Sequence, residues 1–279
     1  MEQIREDVSQ LYALLMLERR IVGVKLTETH EEYMEYQGKE IKSPITYCTV
    51  VKLAMKGQAY KLPKDMCSCK GASRALAFNK PEDTYYDGTG PCQLGLFDDK
   101  EIASKVSNET KFVKEAKTGV VIKPLEQFEK RPDMVLIVTN TYNAMRIMQG
   151  YTSEFGLQQE LCMCGNQAIC VECTSNPYVR NNINISMMCS GTRFYAQWGR
   201  DEVGIGVPVN KFHQLVRGVR KTVNSVENDK EKERIIQGLK LLGESTEDIQ
   251  MNYTYYLQLE REKRKEKEEW KREKGKLKN

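Results

Sequence analysis

Residues 21–26 read IVGVKL and residues 119–125 read GVVIKPL. Each is a short run rich in β-branched residues with the length of one strand, so each predicts a strand. The likeness extends to the segments behind them, and the fold reading rests on it. Behind the first, Ser43-Pro44 offers a cap and a first-turn proline to a helix that places Cys48, Val51 and Met55 on one face before Gly57. A strand at Ala59–Leu62 leads into Cys67-Ser68-Cys69-Lys70-Gly71, with a helix over 72–78 directly behind the cysteines. Residues 79–91, rich in turn formers, read as a loop or lid. Gln93–Phe97 reads as a strand, and Asp98-Asp99-Lys100-Glu101 as a capping box for a helix running to Val106.

Behind the second run the order recurs. A strand at Met134–Thr139 precedes a helix over 142–151, then Cys162-Met163-Cys164-Gly165 precedes a helix over 166–172. A strand at Val203–Val207 and a helix capped by Asn210 close the half. Both halves thus set a C-x-C at a helix start. The reading is an α+β protein of two similar α/β halves, about 21–110 and 119–224, whose likeness is either an internal duplication, which would let the two C-x-C turns face one another across a pseudo-twofold axis, or chance similarity of two α/β segments. Outside this 21–243 domain, residues 1–20 form an amphipathic helix with Ile4, Val8, Leu11 and Leu15 on one stripe. Residues 224–243 read as a helix with Ile235, Ile236, Leu239 and Leu242 inward, and residues 244–279 as a charged tail, helical or disordered.

The formal net charge is +4, yet residues 260–279 alone carry 10 Lys/Arg against 6 Glu, which leaves residues 1–259 neutral. Nucleic-acid binding by the body is therefore disfavoured, because that affinity rests on clustered cations. A charged run such as the tail is ordinarily a solvated helical face held by i to i+4 ion pairs, and the alternative is a surface for an acidic protein partner. The first twenty residues lack the apolar run of a signal peptide, and no later segment approaches a membrane span. These features place the protein in the cytoplasm, where thiols stay reduced, and an odd count of nine cysteines argues against a disulfide framework.

Five of the nine cysteines fall in Glu160–Arg193, ELCMCGNQAICVECTSNPYVRNNINISMMCSGTR. Soft thiolates at this density suit an iron–sulfur cluster, zinc or thiol redox chemistry, set against the plainer role of small buried apolar side chains. His30 and His213 are isolated, and only Cys170 and Cys173 have the spacing of a zinc knuckle. Thiols scattered over several helix starts suit a cluster better. Cys170 and Cys173 fall on one helical face with Cys164 just before it, while Cys92 and Cys162 read as bystanders. Arg193, near Cys189, is the candidate contact for an anionic substrate or for the charge of a thiolate centre.

Several marks together resemble a family known as domain of unknown function 169: VGVKL, Tyr47-Cys48 with Lys52-Leu53-Ala54, Cys69-Lys70-Gly71-Ala72, Leu94-Gly95-Leu96-Phe97, Pro132–Ile137, Cys170, and Cys189 with Gly191 and Arg193. The resemblance implies Cys48, Cys69, Cys170 and Cys189 as the ligand set and leaves Cys67, Cys92, Cys162, Cys164 and Cys173 as additions of this chain, of which Cys67, Cys164 and Cys173 are reserve ligands on the reading of the residues. The leading expectation is an iron–sulfur protein acting on an unknown small molecule or redox partner. The alternatives are a zinc-stabilised or metal-free interaction protein that uses its tail, and a thiol oxidoreductase built on Cys170-Val171-Glu172-Cys173.

Overall fold

The computed structural model describes residues 1–276. Helix α1 (Glu2–Leu15) precedes strand β1 (Val22–Thr27), followed by α2 (His30–Glu35), β2 (Lys39–Glu40), α3 (Tyr47–Ala54) and β3 (Tyr60–Pro63). Four helices come next: α4 (Lys70–Ala75), α5 (Asp83–Tyr86), α6 (Thr89–Gln93) and α7 (Lys100–Glu109). The chain returns to the sheet with β4 (Gly119–Pro124) and β5 (Met134–Asn140), and then forms α8 (Thr141–Phe155). A π-helical segment (Ala168–Ser175) runs into α9 (Asn176–Arg180), β6 (Asn184–Ser186), α10 (Ser190–Ala196) and β7 (Glu202–Pro208). Helices α11 (Val209–Lys221), α12 (Val223–Val226), α13 (Asp229–Leu241) and α14 (Tyr255–Lys276) complete the described chain.

The strands form one sheet in the order β2-β3-β4-β1-β5-β7-β6, antiparallel except for the short β2–β3 pair, so the fold is α+β as expected. The two runs that opened the sequence reading lie side by side at its centre, Val22 opposite Pro124 and Thr27 opposite Gly119. Alternation splits their side chains between two cores. On one face Ile21, Leu125, Val135 and Ile205 pack beneath α1, α8, α11 and α13, where Val8, Leu11, Ile147, Phe212 and Leu239 are buried. On the other face Val22, Val24, Ile122 and Leu136 meet Tyr47 and Val51 from α3, Ala72 from α4 and Leu76 at the end of α4. Five half-buried cysteines pack at the edge of this second core.

The halves do not repeat element for element. Where the second half has β7, the first has α6, and Leu94-Gly95-Leu96 is its C-terminal cap rather than a strand. Gly95 at φ +68° donates to the Cys92 carbonyl and Leu96 N donates to the Pro91 carbonyl, which is the Schellman pattern. Pro91 falls in the first turn of α6, where a missing N–H costs nothing. The 79–91 stretch is correspondingly helical in part, through α5 and the start of α6.

Three boundaries also move. Thr46, not Ser43, caps α3; Pro208, not Asn210, precedes α11; and the expected 224–243 helix breaks before Asn228, whose side chain caps α13 by accepting from Glu231 N. The capping box at Asp99 is as read, with its carboxylate accepting from Glu101 N and Ile102 N. The tail is helical as α14 to Lys276, and its residues 277–279 lie outside the described residues. No described helix is long and apolar enough to cross a membrane.

Candidate functional site

Three helices begin at cysteines on the same side of the sheet. In α3, Cys48 is the second residue, and its Sγ lies 3.2 Å from Oγ1 of the capping Thr46. Cys69 is the N-cap of α4. Cys189 is the N-cap of α10, where its Sγ accepts from Thr192 N at 3.3 Å and lies 3.1 Å from Thr192 Oγ1. The fourth thiol, Cys170, comes from the π-helical segment, which is tied to α3 by Tyr47 Oη against Thr174 Oγ1 at 3.0 Å. The structure therefore brings together the four cysteines singled out from the sequence, with Cys67 beside them.

The electrostatics agree with their proximity. Burial pushes the Cys170 thiol far up, and the thiols of Cys69, Cys189, Cys48 and Cys67 push it the same way. Cys67 is pushed up to about 12, first by burial. Cys48 is raised by burial, against hydrogen bonds from the Thr46 and Thr192 hydroxyls. Burial disfavours the thiolate, and the neighbouring thiols add like-charge repulsion on ionisation.

The helix expected over 166–172 is displaced and of a different kind. Glu172 N donates to the Gln167 carbonyl, a five-residue closure, and Thr174 Oγ1 donates to Ile169 O at 2.6 Å. In this wider turn a spacing of three no longer shares a face. Cys170 faces the other thiols, whereas Cys173 is fully buried against the sheet, so these two do not form the single face expected. The glycines of β7 make room for this segment. A Cβ on Gly204 would lie 2.8 Å from Cys173 Sγ, and one on Gly206 only 1.9 Å from Cys173 O.

The second C-x-C is likewise not at a helix start. Its loop wraps Glu172, a buried carboxylate whose Oε1 accepts from Cys164 N at 2.7 Å and Gly165 N at 2.8 Å, while Ser186 Oγ donates to Oε2. Asn184 Oδ1 accepts from Cys162 N, and its Nδ2 donates back to Cys162 O. Sequence reasoning missed Glu172 as an anchor, although one carboxylate inside AICVEC was a visible signal. Cys92, in α6, and Cys162 stand apart from the thiol group.

A cavity of about 600 Å³ opens beside Cys69 and is bordered by Lys70, Arg74, Tyr85, Cys164 and Gln167. The two C-x-C turns thus approach one cavity even though their local structures differ. Gln167 Nε2 donates to Tyr85 Oη at 2.8 Å, and its Oε1 is buried without a partner. Arg193 does not face this space as a free cation. Its guanidinium donates to the carbonyls of Met187, Gly199 and Glu202, so it braces the segments on either side of α10.

The donor set matches a thiolate-held metal in type and number, but among the described residues no three His, Cys, Asp or Glu side chains stand close enough to enclose an ion. Cys48, Cys69, Cys170 and Cys189 are all half-buried, at the margin of the core rather than locked inside it.

The sequence model of the DUF169 family, described as "Uncharacterised ArCR", matches residues 10–218. The chain is also 27% identical over 220 residues to "Uncharacterized protein MJ0308" of Methanocaldococcus jannaschii, covering 78% of this chain and 94% of that one. No solved structure matches it.

Proposed function

The chain belongs to the DUF169 family, and from that premise we propose that it is a cysteine-ligated metal-binding protein, holding an iron–sulfur cluster through Cys48, Cys69, Cys170 and Cys189. One observation carries the reading: four thiols from α3, α4, the π-helical segment and α10 converge on one side of the sheet. Donor chemistry supports it further. Buried thiols with no cation among the groups acting on Cys170 are poor thiolates by themselves, and a metal supplies the missing positive charge. A bound cluster supplies an electron or, where one iron lacks a protein ligand, a Lewis acid. The residues of the chain then have separate tasks. Thr46 and Thr192 hydroxyls orient Cys48 and Cys189, and Glu172 holds the Cys164 loop beside the cavity, where Lys70 and Arg74 are already paired with Glu82. Zinc is the alternative occupant, since it takes four thiolates equally well.

The dithiol reading is weaker. A C-x-x-C oxidoreductase needs both sulfurs at one accessible place, and Cys173 is shut against β7. We place the protein in the cytoplasm, with a small molecule or redox partner at the cavity and an acidic protein as the partner suited to α14. Deleting residues 244–279 separates the last role, because loss of partner capture with fold and metal retained assigns it to the tail.

The decisive experiment is iron, zinc and acid-labile sulfide analysis, with a visible spectrum, on protein purified without oxygen. Iron with matching sulfide, lost in single Cys→Ser variants at 48, 69, 170 and 189 but kept in Cys92→Ser and Cys162→Ser, is the expected result. Zinc without sulfide moves the site to the structural alternative. Absence of any metal, with the four variants indistinguishable from wild type, overturns the proposal.

A further inference from the structure

A second cavity, of about 420 Å³, shares Arg74 with the cavity beside Cys69. Its charged lining is all of one sign: Arg74, Lys80, Lys111 and Lys114, with no carboxylate among the lining residues. Nearby cations are neutralised, Lys70 and Arg74 by Glu82, Lys100 by Asp87 and Lys117 by Glu28. Lys80, Lys111 and Lys114 pair with no carboxylate among the described residues. In a body whose residues 1–259 carry no net charge, three unpaired lysines around one cavity are a local excess that calls for an anion. Arg74 adds a buried Nε–H without a partner. Tyr86 and Phe112 line the same cavity with aromatic surface.

We propose that this cavity binds a phosphate-bearing small molecule, its phosphates held by Lys80, Lys111 and Lys114 and its organic part set against Tyr86 and Phe112. Lysine ammonium groups suit phosphate as mobile point charges, and the volume fits a metabolite rather than a polymer. The placement of the lysines has a consequence. Lys80 lies just before the α5–α7 excursion, and Lys111 and Lys114 just after it. An anion shared among them ties both ends of that excursion together. The same excursion contributes Tyr85 to the wall of the thiol cavity, so occupancy here steadies that wall.

The test uses the full chain in titration calorimetry at low salt, with adenosine diphosphate, pyrophosphate and adenosine as probes. Saturable one-to-one binding of either phosphate compound, with adenosine not bound, is expected. Lys111→Gln and the exposed pair Lys80→Gln/Lys114→Gln should each weaken that binding about ten- to hundredfold, the loss of one or two charge-assisted contacts. Amide exchange over 79–86 and 110–114 should slow with the compound present. Neither phosphate compound binding at about 1 mM overturns the proposal. So does binding left unchanged in the exposed double variant, whose fold is checked by circular dichroism, or tighter binding of a single-stranded oligonucleotide. Metal content does not enter the readout, so failure here leaves the thiol proposal standing, and failure of that proposal leaves this one.

Discussion

Gly206→Ala tests the docking of the π-helical segment on the sheet. The added Cβ would lie 1.9 Å from Cys173 O, 2.6 Å from its carbonyl carbon and 2.8 Å from its Cα. All three are backbone atoms, so no rotamer change relieves the overlap, and the segment must lift from β7. Overpacking costs about 1–3 kcal/mol, with backbone clashes at the upper end. For a chain of this size about 3 kcal/mol lowers the melting temperature by roughly 6–12 °C. Gly204→Ala is the graded comparison. Its Cβ would meet Cys173 Sγ at 2.8 Å and Ile169 Cδ1 at 3.2 Å, both side-chain atoms able to yield, so about 1–2 kcal/mol is expected. Gly191→Ala is the control of opposite sign. It sits in α10 with only Cys189 Sγ within 4.0 Å, and alanine there should stabilise by about 0.5–1 kcal/mol. The assay is thermal unfolding by circular dichroism in reducing buffer. A Gly206→Ala protein that melts within about 1 °C of wild type, or one more stable than Gly204→Ala, refutes the packing described.

Arg146 and Glu227 are both buried and paired through Nε and Oε1 at 2.6 Å. Arg146→Met alone should cost about 3–5 kcal/mol by leaving a buried charge unmatched, and Arg146→Met/Glu227→Leu should recover much of it, as read by urea denaturation. Glu172→Ala should cost about 1–3 kcal/mol and speed amide exchange at Cys164 and Gly165, whose N–H groups donate to the carboxylate in the wild type. Unchanged exchange there would remove Glu172 as the loop's anchor. Hydrogen bonds from Arg220 hold the Asp248 carboxyl below its ordinary value of 3.8. Because the folded value is the lower one, the contribution is present above about pH 4 and disappears as pH falls through the depressed value. Asp248→Asn should therefore flatten part of the stability profile below about pH 4, by at most about 1 kcal/mol for a pair this exposed.

The strands were legible because they are runs of β-branched residues that fill two cores at once. Ile21–Leu26 and Gly119–Leu125 carry that signal without help from neighbours, and both lie in the sheet. Leu94-Gly95-Leu96-Phe97 carries a similar apolar signal but is never buried as a strand. Leu94 is 74% exposed, and the glycine serves a helix cap, a tertiary outcome that alternation alone does not specify. The expected repeat failed at this point. Cys170 and Cys173 illustrate the other limit. An ordinary helical period puts them on one face, but Gly204 and Gly206 allow the backbone to press against β7 in a π-helical turn. The four-thiol grouping was legible through its resemblance to a family, whereas Glu172, Tyr47 and Thr192 were not, because their roles depend on partners far away in sequence.

The distribution of the four thiols separates this site from a zinc knuckle. A knuckle takes paired ligands from one turn and can form on a local fragment, whereas Cys48, Cys69, Cys170 and Cys189 come from four separate elements that pack against one core on one face of the sheet. The grouping is thus a consequence of the whole fold. A metal held there would in turn cross-link residues 48 and 189, closing a long loop whose entropy falls on the unfolded chain. Its removal should loosen the assembly globally rather than release one loop. The loop of Cys162 and Cys164 follows a different logic, since Glu172, Asn184 and Ser186 hold it without using either sulfur. Cys164, held in this way by backbone contacts of its loop, lines the same cavity as Cys69.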